Sequence, residues 1–397
     1  MKKYLGFNNV NIYIENRGVV KLSIQFKDGV FTSFEENENL EKLPENLFIV
    51  PGFIEEHIHG ANGSDFMDGK VESVKNIARS VAQDGTTSLL ATTMSMSEKD
   101  ILKAVEAIND YIKKRQEYAT ILGIHLEGPF ISKTFCGAQD PINIIEPNIE
   151  ILKKFVKASN DNVKMITFAP EHADEEFINY LLEQNIVPSI GHSNATYEET
   201  KCAFKRGVRC ATHTYNAMKG IHHRDVGVVG EVFLDDNVKA ELICDLHHVS
   251  ADAIKLLYKC KGKDNVVLIT DSMEARFLPN GQYELGGQKV FVKDGVATLA
   301  NGVLAGSVLH MNEAIRNIKR VLNISFEDAI DMASKNPAIN LGIFDKKGSI
   351  ALGKDADFTI VDKDFNVYAT FVKGKLVYKK GENLWKKVTC WCYYLFY

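Results

Sequence analysis

VPGFIEEHIHG, residues 50–60, is an apolar run that ends in two imidazoles, His57 and His59. Four other runs share its build. ILGIHLEGP carries Glu127, IVPSIGHS carries His192, VRCATHTYN carries His213 and NVVLITDS carries Asp271. Each is rich in apolar and β-branched residues, as a buried strand is, and each holds its acid or imidazole near the C-terminal end. A site built from the C-terminal ends of several parallel strands is the arrangement of a (β/α)8 barrel. The five runs therefore predict an α/β enzyme on a TIM-like barrel.

Outward from these runs the alternation of strand and helix continues. Apolar runs end near His59, Thr92, Glu127, Ala169, His192, His213, Asp245 and Asp271, which gives eight strands. Helix-period segments such as VESVKNIARSVAQDG, EKDILKAVEAINDYIKKRQ, EEFINYLLEQN and TYEETKCAFKRG lie between them. Gly85, Gly191 and Gly207 fall at element boundaries, as helix stops or close approaches. Residues 280–307 break the alternation and read as a β-hairpin insertion beside the pocket. Residues 325–343 read as a helix broken at Asn336-Pro337.

Both ends of the chain change character. Residues 1–50 and the stretch from Gly348 to about Lys380 show short strands of period two separated by Gly and Lys turns. The expected organisation is a small β-sandwich domain built from 1–50 and 345–385, a catalytic barrel over 51–344, and an aromatic tail over 386–397. Apolar residues make up 45% of the 397, enough for a large core. The net charge of −5 without a long basic run argues against nucleic acid as a partner, so an anionic substrate needs local positive charge. Seven scattered cysteines without a C-x-x-C pair argue against a disulfide framework or a zinc ribbon. The N-terminal residues lack the apolar core of a signal peptide, and no run reaches the ~20 apolar residues of a membrane span. The expectation is a reduced, cytoplasmic protein without membrane contact.

The side chains at the strand ends define the chemistry. Positions i and i+2 share a strand face, so His57 and His59 can reach one point, and imidazole nitrogens are common ligands of divalent transition metals. Glu127 stops at Gly128-Pro129, where an unpaired buried carboxylate would be costly; with His192 and His213 it offers two nitrogens and one oxygen. That set leaves a position for water, the open coordination of a catalytic zinc-type site. His125, one layer below Glu127, belongs to the core or supports a ligand. Asp271 is placed to take a proton from such a water and return it to a leaving group; its alternative is a helix cap. Arg224 and His248 follow strands six and seven, where barrels often hold phosphate. The His222-His223-Arg224 cluster fits a solvated loop equally well.

With these residues in place, the chain resembles the N-acetylglucosamine-6-phosphate deacetylases of the amidohydrolase superfamily. The segments that carry the resemblance are PGFIEEHIHG, GIHLEGPFIS, GHSNAT, ATHTYNAM, LITDSMEA and LAGSVLHMNEAIRN, in family order. The resemblance implies that Glu127, His192 and His213 hold one divalent metal, with His57 and His59 holding a second in some members. Zinc is the first expectation, and iron(II), manganese(II) or cobalt(II) would suit the same donors. It implies Asp271 as catalytic acid and base. Gln139, Asn216, Ala217, Arg224 and His248 would contact the phosphosugar, and Leu304, Ala305 and Ser307 the acetamide side. The implied substrate is a phosphorylated N-acetyl amino sugar and the implied assembly a homodimer. Asp245-Leu246-His247-His248 departs from the family's Asp-Gly-x-His, which bears on where His248 stands. Cys136 interrupts a loop that is usually basic. Amidohydrolases that bridge two metals with a carboxylated lysine are a poorer match, because the fourth strand ends in Phe168-Ala169-Pro170 without a lysine.

Overall fold

The computed structural model describes residues 5–381, so the aromatic tail at 386–397 lies outside the described residues. Eight parallel strands follow one another around the centre in chain order: Phe53–Glu55, Thr86–Thr93, Thr120–Glu127, Val163–Phe168, Val187–Ile190, Cys210–Ala211, Lys239–Ile243 and Val266–Ile269. They are barrel strands one to eight here. Intervening helices bury one apolar stripe each against this sheet, with Val74, Ile77, Ile101, Val105, Phe155 and Ile178 all in the main core. Helix starts are fixed locally: the side chains of Ser97, Asn148, Asp174, Thr196 and Ser250 each accept the N–H of the third helical residue. Each such cap stabilises its helix by about 1 kcal/mol.

Strands one and eight are the outer members of the sheet, and the seam between them is closed by other groups. The Ile54 N–H donates to the Ala333 carbonyl and the Leu268 N–H to the Met332 carbonyl. Glu55 adds a side-chain link, its Oε1 accepting the Thr270 N–H at 3.1 Å. This explains why the helix expected to break at Asn336-Pro337 breaks a few residues earlier. Two helices form, Phe326–Asp331 and Lys335–Asn340, and the break at 332–334 frees carbonyls that the seam requires. Pro337 sits within the first turn of the second helix, where its missing N–H is tolerated.

The small domain joins both chain ends in one seven-stranded sheet. Phe48–Pro51 pairs in parallel with Leu5–Ile14 and antiparallel with Phe358–Val361. The two layers expected of a sandwich are one continuous sheet that curls. Phe26, on the second strand of the chain, comes within 5.4 Å of Phe358 and 6.2 Å of Phe371, ring centre to ring centre. The insertion is a three-stranded meander, Gly281–Leu285, Gln288–Lys293 and Val296–Leu299, one strand more than a hairpin. Among the described residues no helix is long and apolar enough to cross a membrane. The five cysteines among them are free thiols.

Candidate active site

Glu127 is the last residue of barrel strand three and the hub of the site. Its Oε1 stands 3.1 Å from His192 Nε2 and 3.1 Å from His213 Nε2, and these two nitrogens are themselves 3.1 Å apart. His192 Nδ1 faces the Phe135 carbonyl at 2.9 Å, so the hydrogen belongs on that nitrogen and Nε2 presents a lone pair. His57 and His59 close the other side. His57 Nε2 lies 3.5 Å from both Glu127 Oε1 and Asp271 Oδ1. His59 Nε2 lies 3.3 Å from Glu127 Oε2 and 3.1 Å from Asp271 Oδ1. The first strand ends at Glu55, so these two imidazoles converge from the loop beyond it and not from a shared strand face.

This donor set fits a divalent transition metal. Ligands at about 2.0–2.1 Å from a tetrahedral ion stand roughly 3.3–3.4 Å apart, close to the 3.1 Å edges of the Glu127–His192–His213 triangle. His57, His59 and Glu127 form a second group of converging ligand atoms that shares the same carboxylate. His57 Nε2 is buried and makes no hydrogen bond, which is the state of a ligand nitrogen aimed at an ion.

The local backbone is bent to present these groups. His192, His213 and Asp271 have φ of +49°, +32° and +49°, in the left-handed region that non-glycine residues seldom adopt. Such strain persists only where the surroundings impose it. At Asp271 the N–H donates to the His57 carbonyl at 2.9 Å and the carbonyl accepts from the Ser307 N–H at 2.8 Å. A fully buried Arg276 donates to the hydroxyls on either side, Thr270 at 3.3 Å and Ser272 at 3.1 Å, and pairs with Asp84. At His192 the preceding Gly191 allows the turn, because a Cβ there would stand 2.7 Å from both Thr167 and Thr212.

Two carboxylates in a buried space demand positive charge. Burial works against ionising Glu127, yet the surrounding imidazoles of His57, His192, His213 and His59 hold it well below the usual carboxylate range. Asp271 is held down to about 2: burial opposes its charge, and His57 and His59 outweigh that. His57 itself is lowered by burial, while His59, also opposed by burial, is raised by its two carboxylate neighbours. Asp271 is thus held as a carboxylate at neutral pH.

A cleft of about 220 Å³ opens over the centre, lined by His59, Glu127, His192, His213 and Asp271 and also by Gln139, Asn216, Ala217, His248 and Leu304. Gln139 bridges, with Nε2 donating to Glu127 Oε2 at 2.9 Å and Oε1 accepting the Ser95 N–H at 2.8 Å. His248 lines the cleft: Leu246 takes φ +70° where the resemblance expects a glycine, and His248 Nδ1 meets Asp245 Oδ2 at 2.6 Å. Ala305 packs with Met273, Leu285 and Val290 beneath the meander, and Ser307 Oγ donates to the Thr270 carbonyl at 2.6 Å. These two shape the wall from behind. Arg224 is not brought to the cleft: it is exposed, its guanidinium 2.7 Å from His223 Nε2. His125 lies below, between the Glu56 carbonyl and Thr167 Oγ1 at 3.0 and 2.8 Å, as a core residue should.

Sequence reasoning passed over Glu55, Glu56 and Glu241, all fully buried beneath the imidazoles. The signal was present, since Glu241 is a lone acid inside the apolar strand KAELI. Burial pushes Glu55 up to about 7 and Glu241 up to about 8.

Comparison with known proteins identifies the family. The family model described as the amidohydrolase family matches residues 48–377. N-acetylglucosamine-6-phosphate deacetylase of Lysinibacillus sphaericus is 38% identical over 361 residues, 90% of this chain and 93% of that one. N-acetylgalactosamine-6-phosphate deacetylase of Escherichia coli O157:H7 is 34% identical over 354 residues, 89% of this chain and 94% of that one. A crystal structure of N-acetylglucosamine-6-phosphate deacetylase from Thermotoga maritima superposes with a TM-score of 0.87 at 36% identity, covering 94% of this chain and 99% of that one. The chain belongs to the amidohydrolase family and, within it, to the N-acetylglucosamine-6-phosphate deacetylases.

Proposed function

We propose that this protein hydrolyses N-acetylglucosamine 6-phosphate to glucosamine 6-phosphate and acetate. The reading is carried by the convergence of Glu127, His192 and His213 on one point beside an ionised Asp271, in a chain related to deacetylases over nine-tenths of its length. Glu127, His192 and His213 would hold one ion, zinc in this proposal, and His57 and His59 would hold a second. When bound, such an ion supplies Lewis acidity and brings the pKa of water from 15.7 to about 7.

The chain's own residues do the rest. Asp271 Oδ1 accepts a proton from the attacking water, whose oxygen bonds to the acetyl carbon. It then gives that proton to the amide nitrogen as the C–N bond breaks, so the sugar leaves as an amine and acetate remains. His248 holds the 6-phosphate, with the exposed Arg224 reaching in from outside the cleft once the phosphate is bound, Asn216 and Ala217 line the sugar, and Leu304 excludes water from the acetyl side. The proposed assembly is a homodimer in the cytoplasm.

Acetate release from N-acetylglucosamine 6-phosphate, measured before chelation, after it and after zinc return, tests the whole reading. Chelator-sensitive, restorable release supports it. No release from folded, metal-loaded protein overturns the substrate, and faster release from the galactosamine epimer reassigns it to the substrate named for the E. coli relative.

A further inference from the structure

Glu241 lies inside barrel strand seven, fully buried, and touches two members of the centre at once. Its Oε2 is 3.2 Å from His57 Nδ1 and also accepts the His213 backbone N–H at 3.2 Å. Its other oxygen is buried without a hydrogen-bond partner, and a Glu56 carboxylate oxygen lies within 4.8 Å of the Glu241 carboxylate. Glu56 is anchored in turn by Asn340, whose Nδ2 donates to Glu56 Oε1 at 2.9 Å. A chain of contacts therefore runs from Asn340 through Glu56 and Glu241 to His57 and the backbone of His213.

We propose that Glu241 is the positioning residue of the metal centre. By accepting from His57 Nδ1–H it fixes the tautomer in which Nε2 carries the lone pair. By accepting from the His213 N–H it holds the strained turn that aims the His213 ring. One atom thus couples a ligand just beyond strand one to a ligand just beyond strand six. The role requires an acceptor oxygen and no charge, because Oε2 can accept both hydrogens whether the carboxyl is ionised or carries its proton on the Glu56 side. Outer partners of this kind are worth about 10–100-fold in metal affinity.

The inference rests on the metal centre proposed above, and its test reads metal rather than turnover. Zinc stoichiometry and affinity are measured by chelator competition for wild type, Glu241→Gln and Glu241→Leu. Glutamine keeps an acceptor toward His57 and His213 and a donor toward Glu56; leucine fills similar volume with neither. Leucine is expected to weaken the ion held by His57 and His59 by about 10–100-fold, and glutamine by no more than a few-fold. Leucine binding as wild type, or glutamine losing as much as leucine, overturns the role. Should the leucine variant fail to fold, long-range ¹H–¹⁵N spectra of wild-type protein decide: hydrogen on His57 Nδ1 supports the proposal and hydrogen on Nε2 refutes it. Wild-type protein that takes up no zinc defeats the metal centre itself, a result distinct from any of these.

Discussion

The two ends of the cleft are built in opposite ways. At the metal end every candidate ligand is buried, and His192 and His213 sit in strained left-handed turns. Of the two groups proposed for the phosphate, His248 is anchored by Asp245, while Arg224 stands exposed beside His223 outside the cleft. A bare ion needs ligands fixed to within a few tenths of an ångström, and moving them after binding would cost affinity. A phosphate brings its own charge and can gather a flexible guanidinium. Rigidity is concentrated where the ligand cannot adapt.

The contrast is sharpened or broken by substitutions at each end. Asp271→Asn should lower turnover by about 10²–10⁴-fold while leaving substrate affinity nearly unchanged; single-turnover rates beside equilibrium binding separate the two, and equal losses in both would remove Asp271 from the chemistry. Arg224→Ala should raise KM about tenfold with kcat held, as expected of an interaction made equally in ground and transition states. An unchanged KM would leave it a solvated loop residue.

His248 gives a pH test. Burial opposes its charge, but Asp245 raises its pKa above the ordinary histidine value. The cation is therefore present below that raised pKa and lost above it, so KM should climb as the pH passes it. In Asp245→Asn the lift is gone and the rise in KM should begin at lower pH; a KM profile indifferent to Asp245 would separate His248 from the phosphate. The smallest effect is expected at Leu246→Gly. Relief of a left-handed leucine, worth about 1–2 kcal/mol, is offset because glycine forgoes the apolar packing that Leu246 makes against the main core. Thermal unfolding should shift little and KM should stay within about twofold. A large shift in KM would show that His248 depends on Leu246.

Much of this was legible in the sequence because strand ends announce themselves: an apolar run followed by an acid or imidazole needs no distant information. The convergence of Glu127, His192, His213 and Asp271 at strand ends was readable in that way. The three-stranded meander and the break at 332–334 were not. The break depends on two N–H groups, at Ile54 and Leu268, that lie far away in the chain and need carbonyls. Glu241 was visible as an oddity in KAELI, but its purpose emerges only when His57 and His213 are beside it. Arg224 shows the converse, since residue type suggested phosphate while its position in the described residues is the protein surface.

The seam between the first and last barrel strands carries a consequence for how the protein is made. Thr270 and Glu55 meet across 215 positions of chain, and just beyond them Asp271 meets His57. A partial chain that stops before strand eight carries the five candidate ligands but lacks Asp271, whose N–H holds the His57 carbonyl, so the centre is completed only at closure. Closure of so long a loop is among the slow steps of folding, so an ion that binds at the centre favours molecules that have completed it. At 100 times its dissociation constant such an ion adds about 2.7 kcal/mol to the closed form alone. Metal supply would therefore act as a late quality check on newly synthesised protein.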